Sequence, residues 1–293
     1  MFTPKGIIVP IITPMNEDES FNEAQFRVEI NRLINGGVSG IFSLGTNGEV
    51  YALSEAEKLR VLKVAVDEVK GRVPVYAGTG CIGTRETAEM SKKAEALGVD
   101  ALSVVSPYFV SVSQDDLFRH FDAVAKSVKL PILLYNMPAR TGNNINYTTV
   151  KKLVEANPNI VGAKDSSGNF DNTLRYIENT VPGLSVLAGN DSLILWTLQA
   201  GGTGAISGWA NAFPKLICSI YDLWVKGDFA AANAAQRAIR PFRDVMGMGN
   251  PNSIVKRCLN LLGHKVGPAR EPASGTDPKI DEALKAAFAG YRE

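Results

Sequence analysis

The sequence has little of the two residue types that most often build metal and redox sites. Three cysteines occur in 293 residues, at Cys81, Cys218 and Cys258, and none belongs to a CxxC pair. Because they are odd in number and far apart, we expect neither a disulfide framework nor a cysteine zinc site. The two histidines, His120 and His264, are equally dispersed, whereas metal hydrolases gather several histidines at one site. We therefore expect no metal centre.

An excess of charge of one sign and long apolar runs are also missing. The formal net charge is +1, and no run of Lys or Arg interleaves with aromatic residues, so we expect no nucleic-acid partner. No apolar stretch approaches the ~20 residues that span a bilayer. Residues 1–6 lack the charged-then-apolar pattern of a signal peptide. These absences favour a cytoplasmic protein that binds no membrane.

What the sequence does contain is a regular alternation of short apolar runs with longer helical patterns. The runs are nearly continuous in apolar and β-branched residues, which is typical of strands buried on both faces of a parallel sheet. They cover residues 6–13, 40–44, 73–78, 101–105, 131–136, 160–164, 184–188 and 204–207.

Helical patterns separate these runs. Apolar residues recur at i, i+3, i+4 and i+7 over residues 21–34, 54–69, 85–97, 114–128, 147–156, 170–180, 192–200 and 214–227. Eight strand–helix units predict an α/β protein with a (β/α)₈ TIM barrel. An open doubly wound sheet is the alternative, but it needs a glycine-rich turn after the first strand, where this chain reads PIITP at residues 10–14.

Three more helical patterns follow the predicted barrel, over residues 229–246, 253–262 and 279–292. We predict that residues 1–227 form the barrel and that residues 228–293 form a C-terminal helical bundle packed on it. The extension is not expected to be an independent domain.

Lys164 is the sharpest candidate for chemistry. It ends the apolar run 160–164, so a barrel would place its amine in the mouth, where the active sites of such barrels lie. Removal from water disfavours the charged ammonium, and the neutral amine is a nucleophile suited to a ketone carbonyl. A structural lysine paired with Asp165 is the alternative, and the residues alone leave both open.

Two other strand ends carry suitable polar groups. Tyr135 ends the fifth run and can relay a proton if Thr46 fixes its hydroxyl; aromatic core packing is the alternative. In the turn 45–49, flanking glycines let backbone amides face a ligand. With the Thr46 hydroxyl and the Asn47 amide, they could hold a carboxylate. A simple tight turn is the alternative there.

Five motifs at these strand ends resemble the dihydrodipicolinate synthase / N-acetylneuraminate lyase family. They are GTNGE (45–49), GTG (78–80), SPYF (106–109), YNMPARTG (135–142) and GAKDSSG (162–168). Their order and spacing are specific, although each motif alone is weak evidence. The resemblance covers the barrel and the C-terminal helices, and it implies class I aldolase chemistry without a metal or an organic cofactor.

The resemblance also implies a role for each site residue. Lys164 would form a Schiff base with pyruvate, Tyr135 would transfer protons, and Thr46 would hold Tyr135 in place. Glu49 would brace its turn rather than contact substrate. The residues implied in substrate binding are Asn47, Arg140, Gly189, Ile206 and Tyr108.

For the second substrate the resemblance points two ways. Arg140 resembles the synthase subgroup, in which this arginine binds the carboxylate of aspartate semialdehyde. Phe109 stands where that subgroup usually has a second tyrosine, and Asn47 where it has a second threonine. At both positions this chain is more like the aldolases that act on 4-hydroxy-2-oxoglutarate or 2-keto-3-deoxy sugar acids. We predict condensation of pyruvate with aspartate semialdehyde; the alternatives are such an aldolase and a non-catalytic keto-acid-binding relative.

Assembly and regulation can also be predicted from the resemblance. The loop after strand four usually crosses a subunit interface, which implies a homodimer or homotetramer. Glu55, Lys58 and Ile82 stand where family synthases that sense lysine carry other polar side chains, often histidine or asparagine. We therefore predict no strong feedback by lysine.

Overall fold

The structure is a computed structural model that describes residues 2–273, 275, 277–289 and 291. Eight parallel strands pair in chain order, and β8 returns to β1 to close a barrel. The strands are β1 (Gly6–Pro10), β2 (Gly40–Ser43), β3 (Val75–Gly78), β4 (Ala101–Val105), β5 (Ile132–Asn136), β6 (Ile160–Asp165), β7 (Ser185–Ala188) and β8 (Gly204–Ile206). The predicted (β/α)₈ barrel is confirmed.

Helices connect the strands on the outside of the barrel. They are α1 (Glu23–Asn35), α2 (Glu55–Val69), α3 (Thr84–Ala96), α4 (Gln114–Ser127), α5 (Pro138–Thr141), α6 (Tyr147–Ala156), α7 (Phe170–Glu178), α8 (Ile194–Gln199) and α9 (Pro214–Val225). Local sequence fixes several starts: the Ser54 hydroxyl accepts from the Glu57 amide, and the Glu57 carboxylate accepts from the Ser54 amide. The short helix α5, directly after β5, has no counterpart among the predicted elements.

Among the residues that the structure describes, four helices follow the barrel: α10 (Phe229–Ala238), α11 (Arg240–Met246), α12 (Pro251–Leu261) and α13 (Pro278–Phe288). The prediction of one helix over residues 229–246 is wrong, because the chain breaks at Ile239. Pro241 explains the break, since its ring would clash with a carbonyl of the preceding turn and it has no amide to donate. The predicted helix 279–292 includes residues 290 and 292, which lie outside the described residues.

The barrel has an apolar interior that stops below its mouth. Its side chains come from seven of the strands and form one cluster: Ile8, Phe42, Tyr76, Ala101, Leu133, Leu187 and Ile206. A larger cluster fills the space between strands and helices. Because strand side chains alternate, the residue two positions after Leu133 is also directed inward, and that residue is Tyr135. Tyr135 is in register with Lys164 of β6.

Aromatic contacts attach the C-terminal helices to the last strand–helix unit. The rings of Phe213 and Phe242 stack with centroids 4.3 Å apart, and the Trp209 ring lies 5.5 Å from that of Phe242. The division of the chain at residue 227 stays a prediction. Within the described part of the chain, no helix is both long enough and apolar enough to cross a membrane.

Candidate active site

A cavity of about 320 Å³ opens at the carboxyl ends of the strands. This is the end of a (β/α)₈ barrel at which active sites are found. Seven of the eight predicted site residues line it: Thr46, Asn47, Tyr135, Arg140, Lys164, Gly189 and Ile206. The strand ends therefore bring together side chains that are far apart in the sequence.

Lys164 lies at the floor of this cavity and is only 4% exposed. Its Nζ lies 3.9 Å from the centroid of the Tyr135 ring and 5.4 Å from that of Phe42. The alternative pairing with Asp165 is absent, because that carboxylate is occupied elsewhere: it accepts from Thr173 Oγ1 at 2.7 Å and from Asn136 Nδ2 at 3.1 Å. No salt bridge to Lys164 forms among the described residues.

Tyr135 is buried beside Lys164, and its hydroxyl oxygen lies 3.4 Å from Thr46 Oγ1. Burial alone would raise the pKa of the Tyr135 phenol. The positive charge of Lys164 and the hydroxyls of Thr46 and Ser166 outweigh that effect, so the pKa of Tyr135 is lowered from its usual value. A phenol that ionises more readily is better suited to moving protons in both directions.

The turn that carries Thr46 and Asn47 is anchored from both sides. The Thr46 carbonyl accepts from the Glu49 amide at 3.1 Å, and the Gly48 carbonyl accepts from Thr13 Oγ1 at 2.7 Å. Asn47 Nδ2 is buried and has no hydrogen-bond partner among the described residues. A buried donor without a partner is costly, and Asn47 as a whole belongs to the cavity lining.

Gly189 and Arg140 line other parts of the same cavity. A Cβ at Gly189 would lie 1.9 Å from Ser166 Oγ, so only glycine allows β6 and β7 to approach this closely here. Arg140 lies on α5 and is exposed, so its guanidinium is available at the mouth. The cavity thus has an amine at the floor and a second cation at the entrance.

The structure does not bring Tyr108 to the cavity wall. Tyr108 is half-buried in the loop after β4, and burial raises the pKa of its phenol. The next residue, Phe109, is 95% exposed and has a φ of 73°, a left-handed value rare outside glycine. Contact of Tyr108 with substrate stays a prediction.

Several residues that sequence analysis did not select also line the cavity: Ser166, Asn190, Asp191, Arg243, Met246, Pro251 and Asn252. Asp191 follows a strand end, so its place in the chain was a usable signal. Its burial raises its pKa, although Arg243 Nη1 at 3.4 Å opposes that effect. Residues of α11 and α12 carry no such signal, because only their docking on the barrel brings them to the cavity.

Comparison with known proteins agrees with this geometry. A sequence profile described as the dihydrodipicolinate synthetase family matches residues 3–289. The chain belongs to this family. Members of the family are class I aldolases, and the protein is therefore a lyase of the class I aldolase type.

Individual relatives are similar over nearly their whole length. The 4-hydroxy-tetrahydrodipicolinate synthase of Methanopyrus kandleri is 39% identical, with 97% of this chain and 95% of that protein covered. The solved structure of the same enzyme from Methylacidiphilum fumariolicum SolV has a TM-score of 0.95 at 33% identity, covering 98% of this chain and 95% of that one. A prophage protein of the family from E. coli K12, solved in complex with pyruvate, has a TM-score of 0.94 at 34% identity, covering 98% of each chain.

Proposed function

We propose that the protein condenses pyruvate with aspartate semialdehyde, as a 4-hydroxy-tetrahydrodipicolinate synthase. The observation that carries this proposal is that one cavity has Lys164 at its floor and Arg140 at its mouth. An amine at the floor suits a ketone, and a guanidinium at the mouth suits the carboxylate of a second substrate. The names of the relatives from Methanopyrus and Methylacidiphilum support the same activity.

Lys164 begins the reaction. Its ammonium gives up a proton, the resulting amine adds to C2 of pyruvate, and the hydroxyl formed there takes up a proton and leaves as water to give an iminium. The iminium draws electrons from C3, which loses a proton and becomes a nucleophilic enamine carbon. C3 then forms a bond to the aldehyde carbon, whose oxygen takes up a proton. The amino group of the second substrate attacks C2 and displaces the Lys164 amine, so the ring closes with one net water released.

Tyr135 and the Thr46–Asn47 turn have separate tasks in this sequence. The Tyr135 hydroxyl is the proton carrier, since it lies beside Lys164 and its pKa is lowered. Thr46 orients that hydroxyl. The carboxylate of pyruvate is assigned to the amides of this turn and to Thr46 and Asn47, which both line the cavity.

A second candidate is an aldolase for 4-hydroxy-2-oxoglutarate or a 2-keto-3-deoxy sugar acid. Asn47 and Phe109 favour it, because both depart from the synthase pattern. Release of pyruvate from such an acid, with no condensation on aspartate semialdehyde, would select this candidate. Pyruvate binding without turnover of any aldehyde would identify a non-catalytic relative.

The first experiment is reductive trapping. The protein is incubated with pyruvate, reduced with borohydride, digested, and analysed by mass spectrometry. We expect the adduct on the peptide that contains Lys164 and on no other lysine peptide, with Lys164→Arg as the matched control. An unmodified Lys164 would remove the Schiff-base mechanism. Coupled assays with each aldehyde then decide between the two candidates.

The proposal also includes a homodimer or homotetramer in the cytoplasm. Phe109 is nearly fully exposed in a left-handed conformation that costs about 1 kcal/mol or more, which a partner subunit could offset by burying the ring. A single monomeric species in light scattering at micromolar concentration would contradict this assembly. No disulfide joins the three cysteines in the described part of the chain, which suits a reducing compartment.

A further inference from the structure

The turn that would receive the pyruvate carboxylate has an unusual backbone at both of its ends. Leu44 has a φ of 61° and Glu49 a φ of 56°, left-handed values that residues other than glycine rarely adopt. Such conformations persist only where surrounding contacts over-determine them. The positions of Thr46 and Asn47, which lie between these residues, therefore depend on what holds Glu49.

The carboxylate of Glu49 is held by two groups from the C-terminal part of the chain. Nζ of Lys256, in α12, lies 2.5 Å from Oε1, and the backbone amide of Arg270 donates to Oε2 at 2.7 Å. The side chains of Glu49 and Lys256 are 0% and 1% exposed, so solvent ions screen their attraction little. Lys256 also donates to the Pro268 carbonyl at 2.8 Å, which fixes its ammonium.

Glu49 is in turn bonded to the residues that face the substrate. Its amide donates to the Thr46 carbonyl at 3.1 Å, so a displacement of Glu49 moves Thr46 directly. Lys256 lies behind the cavity wall and borders a separate groove, together with Met15 and Asn260. The contact that connects Lys256 to the substrate-facing turn is therefore its ion pair with Glu49.

We propose that Lys256 is a positioning residue for pyruvate binding. Its ion pair with Glu49 holds the Thr46–Asn47 turn in the conformation that accepts the keto-acid carboxylate. The inference rests on the proposed function in one respect, the assignment of this turn to pyruvate. It gives a C-terminal helix control over the affinity for the first substrate.

The test begins with Lys256→Met, which removes the ammonium at nearly constant side-chain length. We expect the KM for pyruvate to rise about tenfold, equivalent to about 1.4 kcal/mol. The kcat should change by less than about threefold, because the lost interaction binds ground state and transition state alike. Borohydride with saturating pyruvate should still modify Lys164.

Glu49→Gln keeps the proposal testable if Lys256→Met does not fold, and the double variant completes a cycle when both single variants fold. Glu49→Gln keeps an acceptor for the Arg270 amide but loses the charge, and it should raise the KM for pyruvate similarly. The double variant Glu49→Gln/Lys256→Met should lie within about threefold of Glu49→Gln alone, because contacting residues are non-additive. Independent, multiplying effects of the two substitutions would overturn the proposal.

Arg257→Met is the matched control. Arg257 is the next residue of α12 and pairs with Asp281 of α13 instead of with the turn. We expect this variant to lower Tm without changing the KM for pyruvate. An equal rise of the KM for pyruvate in Lys256→Met and Arg257→Met would show a general structural role of α12 and refute positioning by Lys256.

Hydrogen exchange gives a readout that does not depend on activity. Amides of residues 44–52 should exchange faster in Lys256→Met than in Arg257→Met or the parent protein. Unchanged exchange in that segment would overturn the positioning role even if the parent condenses pyruvate. If residues 44–52 exchange faster in Lys256→Met but the parent forms no adduct on Lys164, the link between Lys256 and the turn is upheld. The proposed reaction is then wrong.

Discussion

Replacement of Arg140 by methionine tests the assignment of the second substrate. The change removes the guanidinium from the cavity mouth and keeps a side chain of similar reach. We expect the KM for aspartate semialdehyde to rise and the KM for pyruvate to stay constant. The reason is spatial, since Arg140 lies on α5 at the mouth whereas Lys164 and the Thr46–Asn47 turn lie at strand ends.

The size of the effect follows from exposure. Hydrogen bonds to charged groups contribute about 1.5–3 kcal/mol, and a bidentate contact lies toward the upper end. Arg140 is exposed, so water and salt weaken the contact and the lower figure applies. A loss of about 1.5 kcal/mol corresponds to a KM about tenfold higher. The KM of Arg140→Lys for aspartate semialdehyde should lie between those of the parent and of Arg140→Met, because lysine keeps the charge but lacks the planar guanidinium.

The assay varies one substrate at a time at saturating concentration of the other. Arg119→Met on α4 is the control, since Arg119 is a surface residue paired with Asp116, and both KM values should stay at the parent level. An equal rise in the two KM values for Arg140→Met would place Arg140 in general site structure. An unchanged KM for aspartate semialdehyde would refute the carboxylate contact and favour the aldolase candidate.

Three other predictions follow from single side chains. Tyr135→Phe should lower kcat by about 10²- to 10³-fold, because it removes the proton carrier; a kcat within threefold of the parent would contradict this. L-Lysine at millimolar concentration should not inhibit strongly in steady-state assays, since Glu55 is paired with Lys93 at 2.5 Å and Ile82 is exposed. Burial lowers the pKa of His120 to about 4 from 6.5, so the unfolded chain binds the proton more readily. The free energy of unfolding should therefore fall by up to about 3 kcal/mol as the pH is lowered from 6.5 to 4. Denaturant titrations of His120→Gln should lack this part of the pH dependence.

The fold could be predicted because both of its repeating signals are local. Strands buried on two faces must be apolar along their length, and each helix needs one apolar stripe, so eight alternations specify the barrel. The two helices that the sequence analysis predicted wrongly or missed also have local causes. Pro241 splits the helix predicted over residues 229–246, and the short helix α5 is only four residues long, which is too short to show a period.

The site could be predicted only where its residues follow strands. Lys164 and Tyr135 are adjacent in register across β6 and β5, and the position of each at the end of an apolar run indicated the cavity mouth. Lys256 gave no comparable signal, because a lysine in an amphipathic helix usually faces water. Its burial against Glu49 depends on how α12 docks on the barrel, which no short-range pattern records.

The residues proposed to carry the chemistry and those proposed to select the second substrate lie on different parts of the fold. Lys164 and Tyr135 are held side by side by two hydrogen-bonded strands, β6 and β5, so the proposed chemistry depends on the barrel itself. Other cavity-lining side chains lie on helices instead: Arg140 on α5, Arg243 on α11 and Asn252 on α12. Helices that dock on the barrel rim can shift or exchange side chains without disturbing the strands. The aldehyde must therefore be determined by experiments on these rim residues.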